Sequence, residues 1–451
     1  MKLQQFEDKG LAQYGYAILS EGTGEVVLID PARDPQPYYE FAEAHQARII
    51  AVIETHPHAD FVSSHLEIHE KTGATIYAHS LVGADYPHHS FDEGAELPMG
   101  DIKLKSLHTP GHSPDGISIV LEHEGQDKAV FTGDTLFIGD VGRPDLREKA
   151  GSITAKREEL ARQLYHSTRE KLMQLADDVI VYPAHGAGTL CGKSLSEANS
   201  STMGAEKAGN YALQQMSEAD FVQLITEDQP FIPKYFGYDV ALNKKGAPAY
   251  RTSIQEVPWL EKNFRPEAGS LIVDARKEKT FKQGHYEGAI NIQNGGKFET
   301  WLGSIIAPEE RFYLIAESEE ALQEVVAKAA KIGYEQLIKG AFVFDGREAP
   351  TSSPVFGVEE LGKNAEAYTI VDVRNSSETK AQKIFEHALN IPLPELRERA
   401  KEVPADKPVI VHCAGGYRSA AGSSILEAAL PQTQVLDLSE AITEFRNGAH
   451  S

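Results

Sequence analysis

Short runs of aliphatic and β-branched residues recur along the first 185 positions and alternate with stretches of helical periodicity. The runs have the length of buried strands and lie at 25–29, 48–53, 74–77, 117–121, 129–132 and 179–182, and the longest helical stretch covers 155–175. This alternation predicts an α/β domain. A polar helical stretch at 205–226 and a proline-containing segment at 230–248 follow, so we predict a first domain over residues 1–245.

An internal repeat occupies the second half of the chain. The segments 271–276 and 287–292 recur in similar letters at 369–374 and 386–391, offset by 98 and then 99 residues. In each copy a short apolar run follows, and then a helix-forming stretch. The pattern predicts two small α/β units with parallel sheets, at 250–348 and 355–451, joined by a linker rich in proline and serine at 349–354.

Composition narrows the classes of function. The 451 residues carry a net charge of −23, which repels nucleic acid and anionic lipid. No stretch has the roughly 18 consecutive apolar residues of a membrane span, and two cysteines are too few for a disulfide framework. Acidic residues stand where a signal peptide has its apolar segment. We therefore expect a cytoplasmic protein with small-molecule partners, no nucleic acid and no membrane; a homo-oligomer is left open.

Histidine is concentrated before residue 190, where 13 of the 17 histidines lie. Several of these histidines, together with two aspartates, follow the ends of predicted strands. Strand ends bring side chains together at one edge of a sheet, where the backbone is free to bend around a metal ion. The sequence therefore predicts a metal site with six candidate residues: His56, His58, Asp60, His112, Asp134 and His185.

These elements, in this order, resemble the metallo-β-lactamase superfamily over roughly the first 240 residues. The resemblance implies a four-layer α/β/β/α sandwich. The two-metal hydrolases of that superfamily, such as glyoxalase II, carry a histidine at the position of Phe61, and an apolar ring cannot ligate a metal. The chain is therefore more similar to the mononuclear persulfide dioxygenases. That resemblance implies one Fe(II) per chain, held by His56, His112 and Asp134, with positions open for dioxygen and a substrate sulfur.

Other residues near this site have two readings each. His58, Asp60 and His185 are either further ligands or residues that hold the ligands from behind. Arg143, in the stretch 142–146, lies where the dioxygenases have an arginine near the substrate. The alternative is an ion pair with Asp145.

The last repeat carries a loop with a cysteine, two glycines and an arginine at the end of a predicted strand. Gly415 and Gly416 let backbone N–H groups turn toward the Cys413 sulfur, and Arg418 and a helix N-terminus add positive potential. Such surroundings favour a thiolate. The loop resembles that of a rhodanese over residues 355–451, which implies that Cys413 carries a sulfane sulfur.

The earlier repeat serves as an internal comparison. Aligning the two copies places Ala316 where Cys413 stands, followed by glutamates instead of glycines and arginine. This copy resembles a rhodanese-homology domain without activity. The other cysteine, Cys191, follows His185 closely and is either a substrate-facing thiol or a packed core residue.

Taken together, the chain resembles bacterial fusions of a persulfide dioxygenase with an inactive and then an active rhodanese domain. The resemblance implies that dioxygen oxidises a low-molecular-weight persulfide to sulfite and that Cys413 transfers sulfane sulfur to give thiosulfate, in sulfide detoxification. One rival reading is a zinc thioesterase of glyoxalase II type with an appended rhodanese. Another is a sulfur-carrier protein with a non-catalytic N-terminal scaffold.

Overall fold

The computed structural model describes residues 1–147, 156–193, 195–347, 349–354, 356, 361 and 364–446. The chain forms two units, one of Met1–Ser253 with Ala330–Gly333 and one of Ile254–Ala329 with Tyr334–Ser451. The three domain boundaries expected from the sequence stay predictions, and residues 355 and 451 lie outside the described part. Within that part, no helix is both long and apolar enough to cross a membrane.

The first unit contains two six-stranded sheets. One sheet has the order β1 to β6 and consists of β1 (Lys2–Asp8), β2 (Gln13–Ser20), β3 (Glu25–Ile29), β4 (Arg48–Ile53), β5 (Thr75–Ala78) and β6 (His89–Ser90). The other has the order β14-β13-β10-β9-β8-β7 and consists of β7 (Glu96–Met99), β8 (Ile102–His108), β9 (Ile117–His123), β10 (Gln126–Gly133), β13 (Ile180–Pro183) and β14 (Ser201–Thr202). A small hairpin pairs β11 (Leu136–Phe137) with β12 (Asp140–Val141).

Side-chain alternation along β2 shows why the sheets stack. Tyr16 and Ile18 pack in the core between the sheets, against residues of the second sheet such as Phe131. Ala17 and Leu19 point to the opposite face and pack in a separate core with helix residues. Because successive side chains of a strand face opposite sides, a strand buried on both faces needs cover on both.

Helices provide the outer cover on each sheet. Those of the first unit are Gln36–Ala44, His65–Thr72, Arg157–His166, Met203–Gly209, Glu218–Thr226, Phe236–Lys245 and Tyr250–Gln255. The helix Gln36–Ala44 packs on the first sheet, and Arg157–His166 and Glu218–Thr226 pack on the second. The result is the α/β/β/α sandwich that the resemblance to the metallo-β-lactamase superfamily implies.

The stretch expected to be helical over 205–226 is interrupted. Asn210 accepts a hydrogen bond from the Ala212 amide and Ser217 accepts one from the Asp220 amide, so each begins a new turn. Short polar side chains compete for backbone N–H groups in this way and favour helix starts over helix interiors.

The second unit contains two four-stranded parallel sheets, with the orders β16-β15-β17-β18 and β20-β19-β21-β22. Their strands are β15 (Ile272–Asp274), β16 (Ile290–Asn291), β17 (Phe312–Ala316), β18 (Ile338–Val343), β19 (Thr369–Asp372), β20 (Leu389–Asn390), β21 (Val409–His412) and β22 (Val435–Asp437). Among its described residues, the helices are Glu278–Gln283, Phe298–Ile305, Glu319–Lys331, Ser376–Ala381, Leu396–Arg399, Tyr417–Ala429 and Ile442–Arg446. Both copies of the repeat therefore form the predicted parallel α/β units.

Strand register confirms the alignment of the two copies. Asp274 pairs with Ile315 in the first sheet, and Asp372 pairs with His412 in the second. The next residue along each strand end is Ala316 in the first copy and Cys413 in the second. The alanine therefore occupies the structural position of the cysteine.

Candidate functional site

Three predicted ligands converge at the strand ends of the first unit. His56 follows β4, His112 lies in the loop after β8, and Asp134 follows β10 directly. Their ligand atoms all lie within 4.8 Å of one another, and all three residues are buried. Asp134 Oδ2 is 3.4 Å from His112 Nε2 and 3.7 Å from His56 Nε2. The geometry therefore joins two imidazoles and one carboxylate at a single point.

Neighbouring groups fix the ring nitrogens that face this point. His112 Nδ1 lies 2.9 Å from the Arg143 carbonyl, which only accepts, so Nδ1 carries the proton. His56 Nδ1 lies 3.1 Å from Thr55 Oγ1, whose hydroxyl donates to Asp30 Oδ2 at 2.7 Å, so this Nδ1 also donates. In both rings the Nε2 lone pair is left for a metal ion.

The donor set fits a divalent metal. His56 Nε2 and Asp134 Oδ2 are buried, and neither has a hydrogen-bond partner within the described residues. Buried polar atoms without a partner are costly, and a bound cation satisfies both. Burial lowers the pKa of His56 well below its usual value and lowers the pKa of His112, which keeps both rings neutral as metal ligands require.

His185 lies behind Asp134 and between two carboxylates. Its Nδ1 is 2.7 Å from Asp134 Oδ1 and its Nε2 is 2.8 Å from Asp60 Oδ2. Burial favours the neutral ring, but Asp134 and Asp60 outweigh it and raise the pKa of His185 well above its usual value. Of the two readings of His185 and Asp60, the contacts favour the one in which they hold Asp134 from behind.

His58 is turned toward a different group of acids. Its Nε2 lies 3.1 Å from Asp30 Oδ1 and 3.9 Å from Glu54 Oε2. The buried Phe61 ring packs on it, with the ring centroids 4.3 Å apart. Asp30 also accepts hydrogen bonds from the Thr55 amide and hydroxyl. The Asp30 carboxylate therefore holds the loop that carries His56 and His58. Asp30 is a residue of this site that the histidine pattern does not indicate, although it follows the predicted strand 25–29.

Cys191 lies at the same site. Its sulfur, together with Asp60 and His185, forms a second group of ligand atoms within 4.8 Å of one another. The thiol is buried, and burial raises its pKa well above the usual value, with the Asp60 charge adding to the effect. Cys191 is therefore a neutral thiol next to the site, and its contact with a substrate stays a prediction.

The Arg143 side chain forms its hydrogen bonds with other groups of the protein. Its Nε and one terminal nitrogen each lie 2.7 Å from an oxygen of Asp145, and both residues are buried. The terminal nitrogens also donate to three backbone carbonyls, those of Leu190, Pro230 and Phe231. These bonds engage all five N–H groups of the guanidinium. The geometry favours the ion-pair alternative over the expected contact with substrate.

The cysteine loop of the second unit shows one of the predicted amide contacts, whereas Arg418 is paired with an acid. Cys413 follows β21 and is buried, and the Gly416 amide donates to its sulfur at 3.1 Å. Gly416 has φ +102, a conformation that glycine adopts readily, and directly precedes the helix Tyr417–Ala429. The space around Gly415 is open, since a Cβ there would meet no atom within 4 Å. Arg418 forms a two-pronged pair with Glu378, at 2.6 and 2.8 Å.

A second motif is common to both copies of the repeat. Arg374 pairs with Asp372 at 2.6 Å, and Arg276 pairs with Asp274 at the same distance. Both arginines are buried and also donate to a backbone carbonyl eight residues further on. Since the pair is present with and without the cysteine, it belongs to the framework of these domains.

Family models match most of the chain in three segments. Residues 11–185 match the metallo-beta-lactamase superfamily. Residues 256–346 and 358–447 each match the rhodanese-like domain. The chain therefore belongs to the metallo-β-lactamase superfamily and carries two rhodanese-like domains after its first domain.

Individual relatives give a closer view. The crystal structure of a metallo-beta-lactamase from Staphylococcus aureus subsp. aureus COL is 32% identical, with a TM-score of 0.68, and the match covers 76% of this chain and 98% of that one. The cytoplasmic hydroxyacylglutathione hydrolase of Arabidopsis thaliana is 38% identical over 29% of this chain. The mitochondrial persulfide dioxygenase ETHE1 of Bos taurus is 31% identical over 40% of this chain. The chain spans 51% of the hydrolase and 66% of the dioxygenase.

Proposed function

We propose that the first domain is a persulfide dioxygenase with one Fe(II) per chain, held by His56, His112 and Asp134. The observation that carries this proposal is the convergence of two neutral imidazoles and one carboxylate, in which His56 Nε2 and Asp134 Oδ2 have no hydrogen-bond partner among the described residues. Fe(II) held by such a set supplies positions for both dioxygen and a persulfide sulfur. The similarity to a named persulfide dioxygenase supports the same activity.

The overall reaction consumes one persulfide, one dioxygen and one water, and it releases one thiol, one sulfite and two protons. The residues of this chain have defined tasks in it. Thr55 holds the His56 ring, and the Arg143 carbonyl holds the His112 ring. His185 holds Asp134 through Oδ1, the carboxylate oxygen that does not face the histidines. Each keeps a ligand atom aimed at the common point.

We further propose that the second unit transfers sulfane sulfur through Cys413. The Cys413 thiolate attacks the outer sulfur of a persulfide, the S–S bond breaks, the thiolate leaves, and Cys413 becomes a persulfide. Sulfite then takes this sulfur as thiosulfate and Cys413 returns as a thiolate. The Gly416 amide at 3.1 Å supports a negative sulfur. Because both cysteines are free thiols, we place the protein in the cytoplasm, where thiols stay reduced and where it removes sulfide-derived persulfides.

A zinc hydrolase is the alternative that the similarity to a hydroxyacylglutathione hydrolase raises. The site argues against it, because Phe61 offers no ligand atom and His58 faces Asp30. With Phe61 at this position, a second metal loses one donor. Metal identity separates the two activities, since zinc has no redox chemistry.

The experiment is metal analysis of anaerobically purified protein together with oxygen uptake on a panel of persulfides. We expect one iron per chain, and we expect His56→Ala, His112→Ala and Asp134→Ala to lose iron and oxygen uptake together. His89→Ala, at an exposed histidine, is the matched control and retains both. Stoichiometric zinc with full activity would overturn the iron assignment. Full iron without oxygen uptake on any persulfide would favour a sulfur-carrier protein.

A further inference from the structure

The segment 437–440, at the end of β22, packs against the cysteine loop of the second unit. A Cβ placed on Gly416 would lie 3.0 Å from the Glu440 amide nitrogen and 3.1 Å from the Ser439 carbonyl carbon. The Gly416 amide in turn donates to the Cys413 sulfur at 3.1 Å. Because such close packing leaves little room for movement, the backbone at 439–440 limits how far Gly416 and its amide can shift.

Ser439 is held in this place by two acidic side chains. Its φ of +51 lies in the left-handed region, which costs energy for a residue other than glycine. Asp437 Oδ1 accepts a hydrogen bond from the Ser439 amide at 2.9 Å. The Ser439 hydroxyl donates to Glu278 Oε2 at 2.5 Å. Glu278 begins the helix Glu278–Gln283 of the domain without the nucleophile, so the turn beside Gly416 is held in part from the other domain.

Lys282, on the same helix, completes a ring of contacts. Its Nζ lies 2.5 Å from Glu278 Oε1 and 3.0 Å from Asp437 Oδ2. The Asp437 side chain is 1% exposed, and burial raises the pKa of this carboxyl above its usual value. The Lys282 charge opposes that rise, whereas the Glu278 charge adds to it. The lysine therefore favours the ionised Asp437 that accepts the Ser439 amide, and it balances the charge of Glu278.

The helix at the same place in the active copy, Ser376–Ala381, also reaches the cysteine loop, but through a different residue. Its Glu378 pairs with Arg418 at 2.6 and 2.8 Å. Counting from the aspartates that end β15 and β19, Lys380 stands where Lys282 stands in the other copy, yet Lys380 is exposed. The burial of Lys282 against the neighbouring domain therefore does not follow from the fold that the two copies share.

We propose that Glu278 and Lys282 of the inactive domain are positioning residues that hold the Gly416 amide against the sulfur of the cysteine loop. The inference rests on the proposed role of Cys413 as the sulfur acceptor. With thiosulfate as donor, the Cys413 thiolate attacks the outer sulfur, the S–S bond breaks and sulfite leaves. Cyanide then takes this sulfur as thiocyanate, and the thiolate returns. The amide supports the negative sulfur at the start and the end of this cycle, and a looser loop supports it less.

The test compares the thiosulfate:cyanide sulfurtransferase kinetics of the full-length parent with those of Lys282→Met, which removes the charge and keeps a long side chain. We expect kcat to fall at least about tenfold, because small displacements in an active site have effects of this size. The KM for thiosulfate should change less than about twofold, since the ring acts through the loop. Lys282→Arg restores the charge and should recover at least about half of the parental kcat. Lys279→Met removes an exposed charge from the same helix and leaves both constants unchanged.

A second ion pair between the two domains shows whether Lys282 only ties them together. Arg397 of the active domain lies 2.7 Å from Glu310 of the inactive domain and also donates to the Ile305 carbonyl. Arg397→Met therefore loosens the contact between the domains through groups outside the ring around Lys282, and we expect it to keep the parental kcat. A parental kcat in Lys282→Met, or an equal fall of kcat in Arg397→Met, would overturn the proposal.

Alkylation separates a failure of this proposal from a failure of the sulfurtransferase. Iodoacetamide reacts with the Cys413 thiolate without any sulfur donor, and mass spectrometry follows the rate across pH. The pH at half the plateau rate reports thiolate formation, whereas a change in access alters only the plateau. Ser439→Ala removes one hydroxyl and no charge, so it tests the ring even if Lys282→Met does not fold.

We expect the midpoint of alkylation in Ser439→Ala to lie at higher pH than in the parent, because the loosened amide supports the thiolate less. This shift in a protein whose parent shows no sulfurtransferase turnover would overturn only the sulfurtransferase. An unchanged midpoint in Ser439→Ala would overturn the positioning role.

Discussion

A single glycine sets how closely the loop after β12 approaches the metal ligands. A Cβ at Gly142 would overlap the Asp134 carbonyl oxygen and would lie 2.9 Å from the Cβ of His112. Both neighbours are proposed ligand residues, and both are buried. We expect Gly142→Ala to displace them at a cost of about 1–3 kcal/mol in overpacking, and to reduce iron content and oxygen uptake together.

Iron per chain, measured after anaerobic purification, checks this prediction. Gly209→Ala is the matched control, because a Cβ there meets no atom within 4 Å. If Gly142→Ala kept full iron and full activity, the close approach of Gly142 to Asp134 and His112 would not constrain these two residues.

Arg143 provides a second prediction at the scale of one residue. Its guanidinium is buried and bound by Asp145 and three backbone carbonyls. Removing one partner of such a buried pair leaves the other charge uncompensated, which typically costs about 3–5 kcal/mol. We expect Arg143→Gln to lower the free energy of unfolding by this order in urea titrations.

Arg162→Gln, at an exposed arginine 3.6 Å from Glu218, is the control, and we expect a change below about 1 kcal/mol. A variant Arg143→Gln with parental stability and a raised KM for the persulfide would restore the alternative, in which Arg143 binds substrate.

At the scale of the element, the two rhodanese-like copies differ in what stands at and after the same strand end. Ala316 and Cys413 each directly follow the residue that pairs with the aspartate of the neighbouring strand. After Ala316 the chain enters the helix Glu319–Lys331 within three residues, whereas two glycines precede the helix that follows Cys413. We predict that Ala316→Cys does not restore thiosulfate:cyanide sulfurtransferase activity to a Cys413→Ser protein.

The physical reason is the surroundings of the thiol. A thiolate at position 316 would be followed in the chain by Glu317, Glu319 and Glu320 in place of the glycines, and nearby acids favour the neutral thiol. We expect Cys413→Ser alone to lose activity by at least about a hundredfold, with no recovery in the double variant. Recovery would show that the strand end alone suffices, and appreciable turnover in Cys413→Ser would point to Cys191.

The strand ends that carry the site residues could be predicted from the sequence, but the residues that surround them could not. The apolar runs that precede His56 and Asp134 predict two strand ends, and they thus predict that the proposed ligands lie close together. Arg143, in contrast, bonds to carbonyls 47 and 87 residues away, and no local pattern encodes such acceptors. Strands β1 and β2 were also not predicted, because polar and aromatic residues interrupt their apolar runs.

For the whole molecule, the two proposed activities on one chain predict which products are released. The first domain is proposed to release sulfite, and Cys413 is proposed to hand sulfane sulfur to sulfite. Removing the thiol then leaves the oxygenation intact and changes only what is released. We predict that Cys413→Ser consumes oxygen at nearly the parental rate with a persulfide in air, while sulfite accumulates in place of thiosulfate.

Chromatography of derivatised sulfite and thiosulfate over time measures this outcome. Sulfite also reacts slowly with excess persulfide without enzyme, so a matched incubation with added sulfite and no protein gives the background to subtract. The Asp134→Ala variant is the complementary control, since it retains Cys413 but makes no sulfite; it should form thiosulfate only when sulfite is supplied. If Cys413→Ser formed enzymatic thiosulfate at the parental yield, the two sites would not act in sequence, and another thiol of the chain would have to carry the sulfur.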